Sequence, residues 1–121
     1  GDGPTPTRTG TGILCLEICG EHHAPETLAA ATYLRRSPLR YHDPFFFYGL
    51  YYCMVGTFQV GGEVWEETRD HLTTMLLERQ RPSGSWDGQG SSDANFGEVY
   101  CTSMAVLALA VEYQYLPIYQ R

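Results

Sequence analysis

Phe45-Phe-Phe-Tyr-Gly-Leu-Tyr-Tyr-Cys-Met-Val-Gly-Thr-Phe-Gln-Val60 decides how the rest of this chain is read. Twelve of these sixteen residues are hydrophobic, and no charge interrupts them. Pro44 precedes the run and Gly61-Gly62 follow it, so it has a start and a stop. It is about a turn too short to cross a bilayer, and Gly49, Gly56, Thr57 and Gln59 dilute it. A helix that is apolar all round is buried all round. The run therefore predicts a core helix inside a helical protein, with other helices on either side of it.

Working outward, four more helices are expected, giving about five in an all-α fold. Gly10 to Cys19 carries Ile13, Leu14, Leu16 and Ile18 and stops at Gly20. Pro25 to Arg36 begins with proline and Glu26 and ends with Arg35-Arg36, as the helix dipole favours. Glu63 to Gln80 is amphipathic, with Trp65, Leu72, Met75 and Leu76 against Glu66, Arg69, Asp70 and Glu78. Val99 to about Tyr113 is again apolar nearly all round, with eleven of its first thirteen residues hydrophobic. Amphipathic outer helices thus alternate with inner helices expected to be buried on all sides.

The alternation has a period. Gly20 and Gly61, forty-one residues apart, each end an inner helix and precede an outer one. A two-helix period near forty residues marks a helical-hairpin array. Each inner helix also carries small residues at helical spacing: Gly12, Cys15 and Cys19; Gly49, Cys53 and Gly56; Cys101, Ala105 and Ala108. Such stripes let neighbouring helices approach closely.

Composition narrows function. The 121 residues are 43% hydrophobic, enough for a packed core. The net charge is −6, which argues against a nucleic-acid partner. All eight positive charges are Arg, so no Lys is present for a Walker A loop, a Schiff base or a Lys nucleophile. The four cysteines form no C-x-x-C pair and suggest no disulfide framework. Residues 1–9, rich in Gly, Pro and Thr, read as a flexible segment without a signal peptide. With no initiator Met, they also read as a processed or trimmed end.

Helix four runs into Gln80-Arg81-Pro82-Ser83-Gly84-Ser85-Trp86. This Q-x-x-x-G-x-W stretch resembles the repeat signature of the squalene cyclase and protein prenyltransferase superfamily. The inner helix that follows, Val99-Tyr100-Cys101-Thr102-Ser103-Met104-Ala105, is similar to that family's as well. Tyr115 to Arg121 resembles the C-terminal end of bacterial proteins carrying these repeats. The resemblance covers most of Gly12 to Arg121; the earlier loop, Ser37 to Tyr41, lacks both the Gln and the Trp. It implies that residues 10–121 form an α/α-toroid repeat domain, the C-terminal part of a larger toroid. It also implies a structural role for the loop, and the chemistry agrees. Gln80 can offer its amide to backbone groups left unpaired at helix ends, Gly84 permits the turn, and Trp86 packs over it.

Sites of chemistry are scarce. The D-x-D-D cluster of alkene-protonating cyclases is absent, since Asp43, Asp70, Asp87 and Asp93 stand apart, as are D-D-x-x-D clusters. Glu98-Val99-Tyr100-Cys101 departs from the prenyltransferase D-x-C zinc pair, and no His follows it. Cys19-Gly20-Glu21-His22 lacks the Gln of a thioester motif, and Cys15 and Cys19 with His22 and His23 read as core thiols and a solvated turn. Asp87 to Glu98 has the length of a calcium loop but Ser92 where Gly is required, and reads as a flexible acidic loop. No catalytic residue, metal or cofactor is therefore expected. Tyr48, Tyr52 and Tyr100 are the candidate cavity-lining residues, because the inner helices of family toroids line an aromatic cavity suited to isoprenoids. Asp43 is expected to cap the start of the third helix.

The expected function is a non-catalytic repeat module that binds a protein or an apolar small molecule on its concave side. The alternative is the C-terminal part of a terpenoid cyclase-like enzyme whose acid lies outside this chain. Because the first and last inner helices lack a neighbour on one flank, a homo-oligomer or the remainder of a larger toroid is expected as partner.

Overall fold

The computed structural model describes residues 3–18, 20–21 and 24–113. Among them are five α-helices, two short 3-10 turns and no strand: α1 (Pro6–Ile18), α2 (Pro25–Arg36), α3 (Phe46–Val60), α4 (Gly62–Arg79) and α5 (Glu98–Ala110), with the turns at Ser92–Phe96 and Val111–Tyr113. Cys19, His22, His23 and residues 114–121, with the readings placed on them, lie outside the described residues.

α1 begins four residues before the expected start. Thr5 receives the backbone N–H of Arg8 on its hydroxyl at 3.2 Å and that of Thr9 on its carbonyl at 2.8 Å. Pro6 then occupies the first helical position, where a missing N–H costs nothing. Thr-Pro is a local start signal that the polar, Gly-rich composition around it obscured. The Tyr33 hydroxyl donates to Pro4 O at 3.0 Å, which ties this end to α2.

Glycine punctuation works as expected at both hairpin turns. Gly20 has φ of 84° and donates its N–H back to Glu17 O, closing α1. Gly61 and Gly62, with φ of 77° and 63°, let α4 start directly after α3. α3 packs against α1, α4 and α5, and α2 packs against α1 and α4. The helices thus form two layers, α1, α3 and α5 in one and α2 and α4 in the other.

α3 is the buried centre, with eleven of its residues inaccessible, among them Phe46, Phe47, Leu50, Met54 and Phe58. Its small stripe lies in contact as read: a Cβ on Gly56 would meet Gly10 O at 2.7 Å. The matching stripe on α1 is different. Gly12 and Cys15 are exposed, while Gly10, Ile13, Leu14 and Glu17 are buried. Gly10 is the residue against α3, where a Cβ would sit 2.8 Å from Cys53 N.

α5 also departs from expectation. Cys101, Ala105 and Ala108 are buried where the helix packs on α3, but Val99 is 83% exposed, and Val106 and Leu107 are exposed too. Its all-round apolar sequence has no neighbour on the outer flank among the described residues.

Candidate functional site

The Gln80–Trp86 loop closes α4 and holds α5. The last four carbonyls of any helix lack an intrahelical partner. Here the Trp86 indole Nε1–H donates to Leu76 O at 2.9 Å, and the ring is 3% exposed. Gln80 does not take that role: its Nε2 donates to Gly84 O at 2.9 Å, inside the loop. The loop turns at Gly84, whose φ is 92°, with Arg81 N donating to Ser85 O. Trp86 then exchanges two backbone hydrogen bonds with the Thr102 hydroxyl of α5, at 3.0 and 3.1 Å. Arg81 bridges Asp87 and Glu98, and Ser85 donates to Glu98. Cap and aromatic cover are thus one side chain, and Gln80 braces the turn. Thr102 escaped the sequence reading because its partner lies sixteen residues away.

The start of α3 is held from a distance as well. Asp43, expected to cap it, instead accepts the N–H of Arg40 at 2.8 Å within its own loop. The carboxylate that serves α3 is Asp93, fully buried, whose Oδ2 accepts Phe47 N–H at 2.6 Å. The dipole at the N-terminus of α3 favours this charge. Three further bonds join the same two loops. Tyr41 Oη donates to Gln89 O at 2.6 Å, His42 Nδ1–H donates to Gly90 O at 2.9 Å, and Phe45 N–H donates to Ser92 Oγ at 3.2 Å. Phe45 sits at φ 57°, a left-handed conformation that costs a non-glycine residue about 1–2 kcal/mol. The segment after Asp87, read as flexible, is therefore pinned to α3. No signal within ten residues of Asp93 points to a helix start forty-six residues earlier.

Asp93 Oδ1 is buried without a hydrogen-bond partner among the described residues. Removing the side chain thus forfeits one charge-assisted bond but also relieves a desolvated oxygen. Asp93→Ala is expected to lose about 2 kcal/mol, the middle of the range for bonds to charged groups. Chemical denaturation checks this, and an unchanged midpoint would show that the clasp contributes nothing.

The three candidate tyrosines stand together on one face, made by α3 and α5. The Tyr48 and Tyr52 rings lie tilted at 43° with centroids 4.6 Å apart, and Phe96 packs on Tyr100 at 5.2 Å. Tyr48 is 39% exposed, Tyr52 and Tyr100 are half-buried, and Phe96 is exposed. Burial, and then the Asp93 carboxylate, push the Tyr100 hydroxyl above its ordinary value. Among the described residues these rings form a partly exposed aromatic face.

Of the described cysteines, Cys15 is free and exposed, and Cys53 and Cys101 are buried. Burial pushes the Cys53 thiol up to about 12 and the Cys101 thiol up to about 11, so neither is a thiolate at neutral pH. Asp70 pairs with Arg69, and Asp87 receives Gln89 N–H. Among the described residues no three His, Cys, Asp or Glu side chains are grouped to hold a metal ion, and no helix is long and apolar enough to cross a membrane. The chain matches no protein-family model, no curated protein and no solved structure.

Proposed function

We propose that this chain is an α/α-toroid repeat module of the squalene cyclase and prenyltransferase type, which binds an apolar small molecule across the face of its inner helices and performs no chemistry by itself. The observation that carries the reading is the partly exposed aromatic face of Tyr48, Tyr52, Tyr100 and Phe96. Rings with a polar edge suit a surface that is wet until a ligand covers it. The Q-x-x-x-G-x-W loop and the two helical layers support the family assignment. The absence of chemistry is supported by the engagement of Asp43, Asp70 and Asp87 with neighbouring groups and of one Asp93 oxygen with the distant Phe47 N–H. On this reading the flank of α5 at Val99, Val106 and Leu107, exposed among the described residues, takes a further hairpin from a second copy or from the rest of a larger toroid.

The test is calorimetric titration with an isoprenoid alcohol such as farnesol, against the wild type and a Tyr48→Ala, Tyr52→Ala double variant. Two ring faces lost are expected to weaken binding by about tenfold or more, since each pair of aromatic contacts contributes about 0.5–1.5 kcal/mol beyond its buried area. Equal affinity in the double variant, or no binding by the wild type, refutes the site. Turnover of a prenyl diphosphate or squalene by the pure chain refutes its inertness.

A further inference from the structure

A cavity of about 180 Å³ opens on the opposite layer, between α2 and α4. Its wall is apolar: Leu34, Pro38, Leu39 and Leu72, with the buried Cys53 of α3 as its floor. An apolar cavity of about 150 Å³ stays dry and takes one benzene, so this one holds a ring with a short arm. The floor cannot react, because the Cys53 thiol donates to Pro6 O and is held protonated by burial.

The rim is polar and biased toward acceptors. Arg35 is already engaged: its Nε and Nη2 reach the two oxygens of Glu67 at 2.8 Å each, and Nη2 lies 3.3 Å from Glu63. Arg35 and Glu67 of the lining balance each other, and Glu63, just outside the lining, adds one negative charge beside them. Hydrogen bonding from Arg35 holds Glu67 below the usual carboxylate range, so Glu67 stays ionised beside the cavity. His71 donates its Nε2–H to Leu39 O at 2.9 Å, and in the neutral ring this makes Nδ1 the acceptor. A ligand seated here meets hydrocarbon below and acceptors above, with no cationic group uncommitted at the mouth.

We infer that the α2–α4 cavity is a binding site for a small primary amine with an apolar body, its ring among Leu34, Leu39 and Leu72 and its ammonium at Glu67 and His71. The chain's overall charge of −6 favours the same sign of ligand. The site shares no residue with the aromatic face, so the two readings stand or fall separately.

Leucine methyl resonances of the full chain test this with three probes of one shape: 2-phenylethylamine, propylbenzene and 3-phenylpropionate. The amine is expected to shift Leu34, Leu39 and Leu72 at the lowest concentration, and the carboxylate at the highest. Glu67→Gln, on an exposed position, should reduce the amine's advantage over propylbenzene about two- to fivefold, the range for a partly exposed ion pair. Thr68→Met, which fills the mouth, should weaken all three probes about tenfold or more. If none of the three methyl groups responds to any probe, or if the carboxylate binds as tightly as the amine in the wild type, the proposal is overturned.

Discussion

Trp86→Ala is expected to lower the stability of this protein by about 3–5 kcal/mol, the range for removing a buried large aromatic. Three losses coincide at this one position. The ring is 3% exposed, so its truncation leaves a void in the shared core. The indole N–H that serves Leu76 O disappears, returning an unpaired carbonyl to the end of α4. The bonds between Trp86 backbone and Thr102 lose the side chain that anchors them, loosening the join from α4 to α5. Trp86→Phe separates the terms, because it keeps an aromatic filler and removes only the donor. It should lose about 1–3 kcal/mol, the cost of a buried group left unpaired. Urea denaturation of both variants decides it; a Trp86→Ala midpoint equal to the wild type would show that the loop is decoration rather than the end-piece of α4.

The second large effect is expected at a residue without a side chain. Gly10→Ala places a methyl group 2.8 Å from Cys53 N and 2.9 Å from Cys53 Cα. These are backbone atoms in the middle of α3, which cannot swing aside, so α1 must move off its principal neighbour. The neighbouring contact is equally tight, since Gly56 faces Gly10 O. Overpacking of this kind costs about 1–3 kcal/mol, and the rigid neighbour puts Gly10→Ala near about 3. Gly12→Ala provides the matched comparison, with nothing within 4 Å of the added methyl. It should stabilise by about 0.5–1 kcal/mol, because alanine loses less backbone entropy than glycine in a helix. Thermal unfolding of the two variants should therefore move in opposite directions. A Gly10→Ala protein as stable as the wild type would mean that the α1–α3 crossing is wider than described.

The same two glycines show where sequence reading stopped. The small stripe is expected to run through Gly12, and the residue that faces α3 is Gly10. Which glycine faces α3 depends on the rotation of α1, which begins at Pro6, four residues before the Gly10 start that the pattern predicts. Asp43 and Asp93 make the same point. Asp43 lies next to the helix and is the natural cap, but it closes its own loop, and the carboxylate at the helix start is Asp93, forty-six residues from the Phe47 N–H it accepts. The candidate tyrosines were legible as a group, because helical spacing puts Tyr48 and Tyr52 on one face. Whether they bordered an enclosed space or open solvent was not legible, since that depends on which helices stand opposite. The α2–α4 cavity was invisible to pattern for a related reason: it is the gap between two helices, and no residue type encodes a gap.

What the sequence determined by itself was local and periodic. Apolar runs without strand alternation made the chain helical. Gly20 and Gly61-Gly62 ended the inner helices, because only glycine takes φ of 84°, 77° and 63° without strain. Proline and acidic residues marked the start of α2, and arginines its end. Each of these rests on forces acting within a turn or two of chain. The tertiary structure alone decided the distant pairings: Trp86 with Leu76, Asp93 with Phe47, Tyr41 with Gln89, and Arg35 with Glu67. Among the described residues it also decided that α5 buries the one stripe of Cys101, Ala105 and Ala108. Hydrophobicity states what a helix would gain by burial, and packing decides whether a neighbour is there to provide it.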